Sequence, residues 1–167
     1  MEPGLNFLHF SPRLPGHATM GFLGSLFKKT SSEADFDEAK RERAKFLAVT
    51  PTDEESDASN IASGLMLDRK YLECIAAYEA FAAKYPERRG DADSQIGAAH
   101  YFLGDFHKAI EFYVSARTNG ADESMMDDNL WEACEALVKK GEKTAAQRYL
   151  ELCPQGSYLK KAQKALS

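Results

Sequence analysis

The sequence predicts an all-α protein, a solenoid of antiparallel helix pairs closed by a C-terminal capping helix, and three observations lead there. A segment recurs: Tyr71-Leu72-Glu73-Cys74-Ile75-Ala76-Ala77-Tyr78 returns 35 residues later as Phe106-His107-Lys108-Ala109-Ile110-Glu111-Phe112-Tyr113. A looser copy, Gly141-Glu142-Lys143-Thr144-Ala145-Ala146, matches Gly104-Asp105-Phe106-His107-Lys108-Ala109 at a distance of 37, with a short insertion near Thr118 to Ser124. Periods of this length mark stacked supersecondary units. Only 11 Gly and 6 Pro interrupt 167 residues, and from Ser32 onward the chain is charged, Ala-rich and nearly free of strand signals. Apolar residues there recur at the three- and four-residue spacing of a helix face.

Residues 1–32 stand apart as an N-terminal extension. Pro3, Gly4, Pro12, Pro15 and Gly16 punctuate it, and its apolar islets, Leu5 to Phe10 and Phe22 to Phe27, are too short for a core. The pattern is not that of a secretory signal, since no basic n-region or small-residue cleavage site frames the apolar run. Translation from Met20 would instead place Gly21 in a myristoylation context. Phe22, Leu23, Leu26 and Phe27 fall on one helical face followed by Lys28 and Lys29, and docking of that face on protein is favoured over membrane contact.

Residues 33–51 read as a charged helix, a degenerate half-repeat. Phe36, Ala39, Arg43, Phe46 and Leu47 share a face over Asp35 to Val49, and Pro51 closes it. The repeat domain spans residues 52–167. A Thr before Pro, followed by Asp53, Glu54 and Glu55, opens a helix that runs to about Asp68. Tyr71 to Tyr85 forms the next, stopped by Pro86. In the middle pair Gly97, Ala109 and Ala116 are the small residues that let helices approach, while Ile96, Leu103, Phe106, Ile110 and Tyr113 fill the grooves. Ser157 to Leu166 closes the stack, with Tyr158, Leu159, Ala162 and Leu166 inward and Lys160, Lys161 and Lys164 in solvent.

Composition bounds the function. With 44% apolar and 28% charged residues the chain has the make-up of a soluble globular protein. A formal charge of −5 lacks the basic footprint of a nucleic-acid binder. Three cysteines with no disulfide framework point to a reducing, cytoplasmic setting. Cys74, Cys134 and Cys153 sit where the repeat wants a small residue, and His100 and His107 fall on different helices of one pair without a third ligand. No metal, cofactor or catalytic site is expected, because no phosphate loop, nucleophile elbow or paired-histidine helix occurs.

The stretch Gly104-Asp105-Phe106-His107-Lys108-Ala109-Ile110-Glu111-Phe112-Tyr113-Val114-Ser115-Ala116 resembles the second half of a tetratricopeptide repeat, and Ile96-Gly97 with Tyr101 resembles its first half. Ala62, Tyr71, Cys74, Tyr78 and Pro86 fit the same pattern, although Arg69 stands where a turn glycine is usual. Cys134, Leu137, Gly141 and Ala146 form a third unit in which Lys143 replaces an aromatic. The resemblance, over about residues 52–154, implies a right-handed solenoid whose first helices line a concave groove for a peptide or helix of a partner.

By register that groove holds Ser59, Asn60, Ser63 and Met66, then Ser94, Gln95, Ala98, Tyr101 and Phe102, then Trp131, Glu132, Glu135 and Val138. Trp131 is either the binding anchor or a packing residue against the capping helix. Relatives that grip acidic chaperone tails carry Lys, Asn and Arg in this groove, where this chain has Ser59, Ser63, Gln95, Asp128 and Glu132. A neutral, apolar or weakly basic segment is therefore expected. The function implied is a non-enzymatic scaffold or adaptor, with a type III secretion-type chaperone or an obligate assembly or regulatory subunit as alternatives. Charge is uneven, with seven basic and two acidic side chains in residues 139–167 but four and nine in residues 33–57.

Overall fold

The computed structural model of the chain describes residues 33–49 and 53–167. The N-terminal islets, the Phe22 to Phe27 face and the Thr50-Pro51-Thr52 cap lie outside them. Among the described residues there are eight α-helices and no strand, so the protein is all-α. Two compact units divide it, the first ending at Pro86 and the second running from Glu87 to Ser167.

The first unit contains α1 (Glu33–Val49), α2 (Glu54–Leu67) and α3 (Tyr71–Lys84). Asp53 caps α2, its carboxylate accepting from Ser56 N at 2.8 Å, and Glu54, Glu55 and Asp57 place negative charge at the positive end of the helix dipole. α1 lies antiparallel on α2. Lys40 Nζ reaches Asp68 Oδ1 at 2.9 Å, while Arg43 donates to the Asn60 carbonyl nearer the start of α2. Of the expected α1 face, Ala39 is buried; the side chains of Phe36, Phe46 and Leu47 lie outside the description.

The second unit follows a short 3-10 turn at Pro86–Arg88 and holds α4 (Arg89–Leu103), α5 (Phe106–Thr118), α6 (Glu123–Lys139), α7 (Thr144–Leu152) and α8 (Leu159–Leu166). Consecutive helices within this unit pack on one another, and α4 also touches α6.

Three hairpins, α2–α3, α4–α5 and α6–α7, share one turn. Arg69, Gly104 and Gly141, spaced 35 and 37 residues apart, all adopt left-handed backbone, with φ of 59°, 80° and 98°. In each, the amide after the left-handed residue reaches back five positions: Lys70 N to Leu65 O and Asp105 N to His100 O at 2.9 Å, Glu142 N to Leu137 O at 3.0 Å. This closure satisfies carbonyls that the helix end leaves without partners. Arg69 adopts the glycine conformation despite its Cβ, at a cost of roughly 1–2 kcal/mol.

The small positions recur with the turns. Ala62, Gly97 and Cys134 on the first helices, and Cys74, Ala109 and Ala146 on the second, keep the 35- and 37-residue spacing, and the five with side chains are all fully buried. Gly97 shows why size matters there: a Cβ would stand 2.7 Å from the Tyr113 ring and 3.3 Å from the Ala109 carbonyl. Ile96, Ile110 and Tyr113 are buried as expected. Leu103 is not, for it is 44% exposed at the end of α4, where the chain turns away at Gly104.

The closing helix starts at Leu159, because the backbone just before it is tied to α6. Ser157 N donates to Asp127 Oδ2 at 2.8 Å and Tyr158 N to Tyr149 Oη at 3.2 Å. Tyr149 donates to Asp127 Oδ1 at 2.5 Å, and Tyr158 to Asp128 Oδ1 at 2.8 Å. Ala162 is buried, Tyr158 and Leu159 are half-buried, and Leu166 stays 38% exposed rather than inward.

Candidate functional site

The residues placed in a groove by register separate into two groups. Ser59, Ser63, Met66, Ser94, Gln95, Ala98 and Trp131 are buried, whereas Asn60, Tyr101, Phe102, Glu132, Glu135 and Val138 are half-buried. Ser59, Ser94 and Trp131 keep the repeat spacing and share one interior position. That corrects the reading of Trp131 as an exposed anchor. Its ring is 4% exposed, stacks on Tyr158 with centroids 5.6 Å apart and planes within 9°, and meets Tyr149 edge-on at 5.2 Å. The packing alternative, against the segment that leads into the capping helix, is the one found.

In the first unit, Ser63 Oγ donates to the Asn60 carbonyl at 3.1 Å, so these polar groups serve α2 itself. In the second unit α4, which carries Tyr101 and Phe102, touches α6, which carries Glu132, Glu135 and Val138. Tyr101 meets Phe102 edge-on at 5.8 Å and Phe106 at 5.2 Å, and Lys140 Nζ lies 4.5 Å from the Phe106 ring centroid. Three aromatic rings thus line one edge.

Glu132 and Glu135, one helical turn apart on α6, supply charge to the same place. Burial raises the Tyr101 hydroxyl pKa, and the Glu132 and Glu135 carboxylates add to the rise while Lys139 opposes it. Glu132 acts in the same direction on Tyr113, after burial, and on Tyr158, after burial and the Asp128 carboxylate. One half-buried carboxylate therefore stands within electrostatic reach of three phenols. Glu135 is paired with Lys139 one turn on. An aromatic rim beside carboxylates favours a cation, which gains from ring faces and negative charge together.

The cysteines and the two helical histidines are held in packing and pairing roles. Cys74, Cys134 and Cys153 are free and buried. Burial pushes the thiols of Cys74 and Cys134 up to about 12, so the nucleophilic thiolate is disfavoured. His100 stacks on Phe112 at 5.4 Å, and His107 pairs with Glu142 at 2.9 Å. No group of three metal-ligating side chains occurs among the described residues, and none of their helices is long and apolar enough to cross a membrane.

Sequence reasoning missed the tie from Asp127 and Asp128 to Tyr149, Ser157 and Tyr158. Its one visible signal is the adjacent pair of carboxylates a turn into α6. Compared with known proteins, the chain matches no family model and no curated sequence.

Proposed function

We propose that this chain is a tetratricopeptide-like right-handed α-solenoid and works in the cytoplasm as a protein-interaction scaffold or adaptor, without catalytic chemistry. The three equivalent left-handed turns at Arg69, Gly104 and Gly141 support the repeat reading, since each carries the same five-residue closure. The α4–α6 face is the docking surface. Tyr101, Phe102 and Val138 supply apolar area, and Glu132 and Glu135 bias the choice toward a neutral or weakly basic segment of a partner.

The observation that supports this reading is the half-buried Glu132, whose carboxylate acts electrostatically on the half-buried Tyr101. Peptides selected from a random display library on the full chain test it. Lys- or Arg-containing sequences are expected, with affinity falling about tenfold, some 1.4 kcal/mol, in Glu132→Lys/Glu135→Lys. Acidic winners, or binding indifferent to both substitutions, would refute the assignment.

A further inference from the structure

Of the seven basic residues of 139–167, Lys139 and Lys140 are engaged by Glu135 and the Phe106 ring, but four others, Lys143, Lys160, Lys161 and Lys164, lie on the last hairpin. Only Glu142 and Glu151 are acidic in that stretch. Both are engaged, Glu142 by His107 at 2.9 Å and Glu151 by Gln147 at 3.0 Å. Lys143, Lys160 and Lys164 are exposed, and none forms an ion pair with a described residue. Lys161 is exposed and held over the Tyr158 ring at 4.9 Å.

Position makes three of these cations costly to the fold, while Lys164 lies in the last turn of α8, where the dipole favours it. Lys143 precedes α7, and Lys160 and Lys161 occupy the first turn of α8, where neither helix carries an acidic residue. The positive end of a helix dipole disfavours cations, by typically 0.3–1 kcal/mol each. Lys160 and Lys164 are one turn apart, a like-charge pair that also destabilises a helix. Elsewhere in the second unit such cations have an acidic neighbour: α4 opens with Arg89 but carries Asp91, α5 has Lys108 in its first turn but Asp105 as its N-cap, and α6 carries Glu123.

Topology gathers the charges. Tyr149 and Tyr158 meet at the connected ends of α7 and α8, with ring centroids 6.3 Å apart. α7 and α8 pack on one another, and Ala145, Ala146 and Ala162 are buried. α8 therefore runs back along α7, and its last turn, with Lys164, returns to the end where Lys143 opens α7.

We infer that the outer surface of the α7–α8 hairpin, carrying Lys143, Lys160, Lys161 and Lys164, is a docking site for an acidic protein segment. It is separate from the α4–α6 face and does not depend on that assignment. Charge complementarity selects a short acidic segment over a nucleic acid. Residues 1–138 carry 14 basic and 24 acidic side chains, a charge of −10. A long polyanion running off the lysines meets that charge, whereas a segment of a few carboxylates stays within a Debye length, about 8 Å in physiological salt, of the cations. A membrane surface is disfavoured because Leu166 is the one large apolar side chain exposed on this hairpin.

A fluorescein-labelled tetra-glutamate peptide tests the inference, with anisotropy measured on the full chain at low and near-physiological ionic strength. Salt-sensitive binding is expected, weakened about tenfold or more in Lys143→Glu/Lys160→Glu/Lys164→Glu, with helical circular dichroism and Trp131 fluorescence unchanged. Replacing the same lysines by arginine should retain binding. If the triple variant fails to fold, Lys160→Gln/Lys164→Gln should still weaken binding about threefold. No measurable binding, or equal binding by the charge-reversed protein, overturns the inference. Tighter capture of a thymidine decanucleotide or of phosphatidylserine vesicles overturns it in favour of a phosphate surface.

Discussion

Replacing Gly97 by alanine sets two known effects against each other. In a helix interior alanine is favoured over glycine by about 1 kcal/mol. At Gly97 the new methyl would stand 2.7 Å from Cδ1 and Cε1 of Tyr113, inside van der Waals contact. That ring is buried and cannot swing into solvent, so α4 and α5 must separate, and overpacking of this kind costs about 1–3 kcal/mol. A net loss of about 1 kcal/mol is expected. Gly64 in α2 is the control, because its nearest neighbour is the far end of the Arg43 side chain at 3.3 Å, which can shift. There the propensity gain should survive, stabilising the protein by about 0.5–1 kcal/mol. Urea titrations followed by circular dichroism should move the two midpoints in opposite directions, with Tm differing by about 2–4 °C per kcal/mol. Equal stabilisation by both substitutions would refute the close approach of α4 and α5 on which the hairpin description rests.

Arg69→Gly should raise stability by about 1 kcal/mol in the same titration, by relieving a left-handed backbone that only glycine adopts without penalty. Trp131→Ala should cost about 3–5 kcal/mol as a core truncation, read as an earlier urea transition of the helical signal; native-like stability would return Trp131 to an exposed role. For Asp127, burial favours the neutral acid, but the hydrogen bonds from Tyr149 and Ser157 outweigh it and hold the pKa below the usual carboxylate value. Its ties therefore stabilise the fold above the unfolded pKa, about 3.9, and are lost as pH falls through the lower folded value. Trp131 fluorescence should report that loss below about pH 4, and Asp127→Ala should show the released signal already at neutral pH. Native Cys74 and Cys134, with thiols pushed up to about 12, should react with a thiol reagent at the rate of unfolding and not before.

The hairpins were legible because their signals are local. A left-handed turn position with a small residue seven places before it and five after recurs in all three hairpins, and an aromatic opens the second helix in the first two, so Gly104 and Gly141 betray the register and Arg69 inherits it. The groove was harder. Register places Ser59, Ser94 and Trp131 at one equivalent position, but whether that position faces outward depends on the depth to which neighbouring helices bury it. In the third hairpin Tyr158 covers it, from a segment 27 residues further along the chain. Long-range contacts of this kind leave no periodic trace. Leu103 illustrates the converse, since its spacing marks it as core while its place at the last position of α4 exposes it. The half-buried set of Tyr101, Phe102, Glu132, Glu135 and Val138 was named by register, and burial then distinguished it from its neighbours.

Amide chemical-shift mapping of the full chain, titrated with a selected Lys- or Arg-containing peptide, tests the docking assignment most directly. Perturbations concentrated on α4 and α6, at Tyr101, Phe102, Glu132, Glu135 and Val138, are the expected result. Shifts confined to α7 and α8, or to residues outside the helices of the second unit, would contradict it.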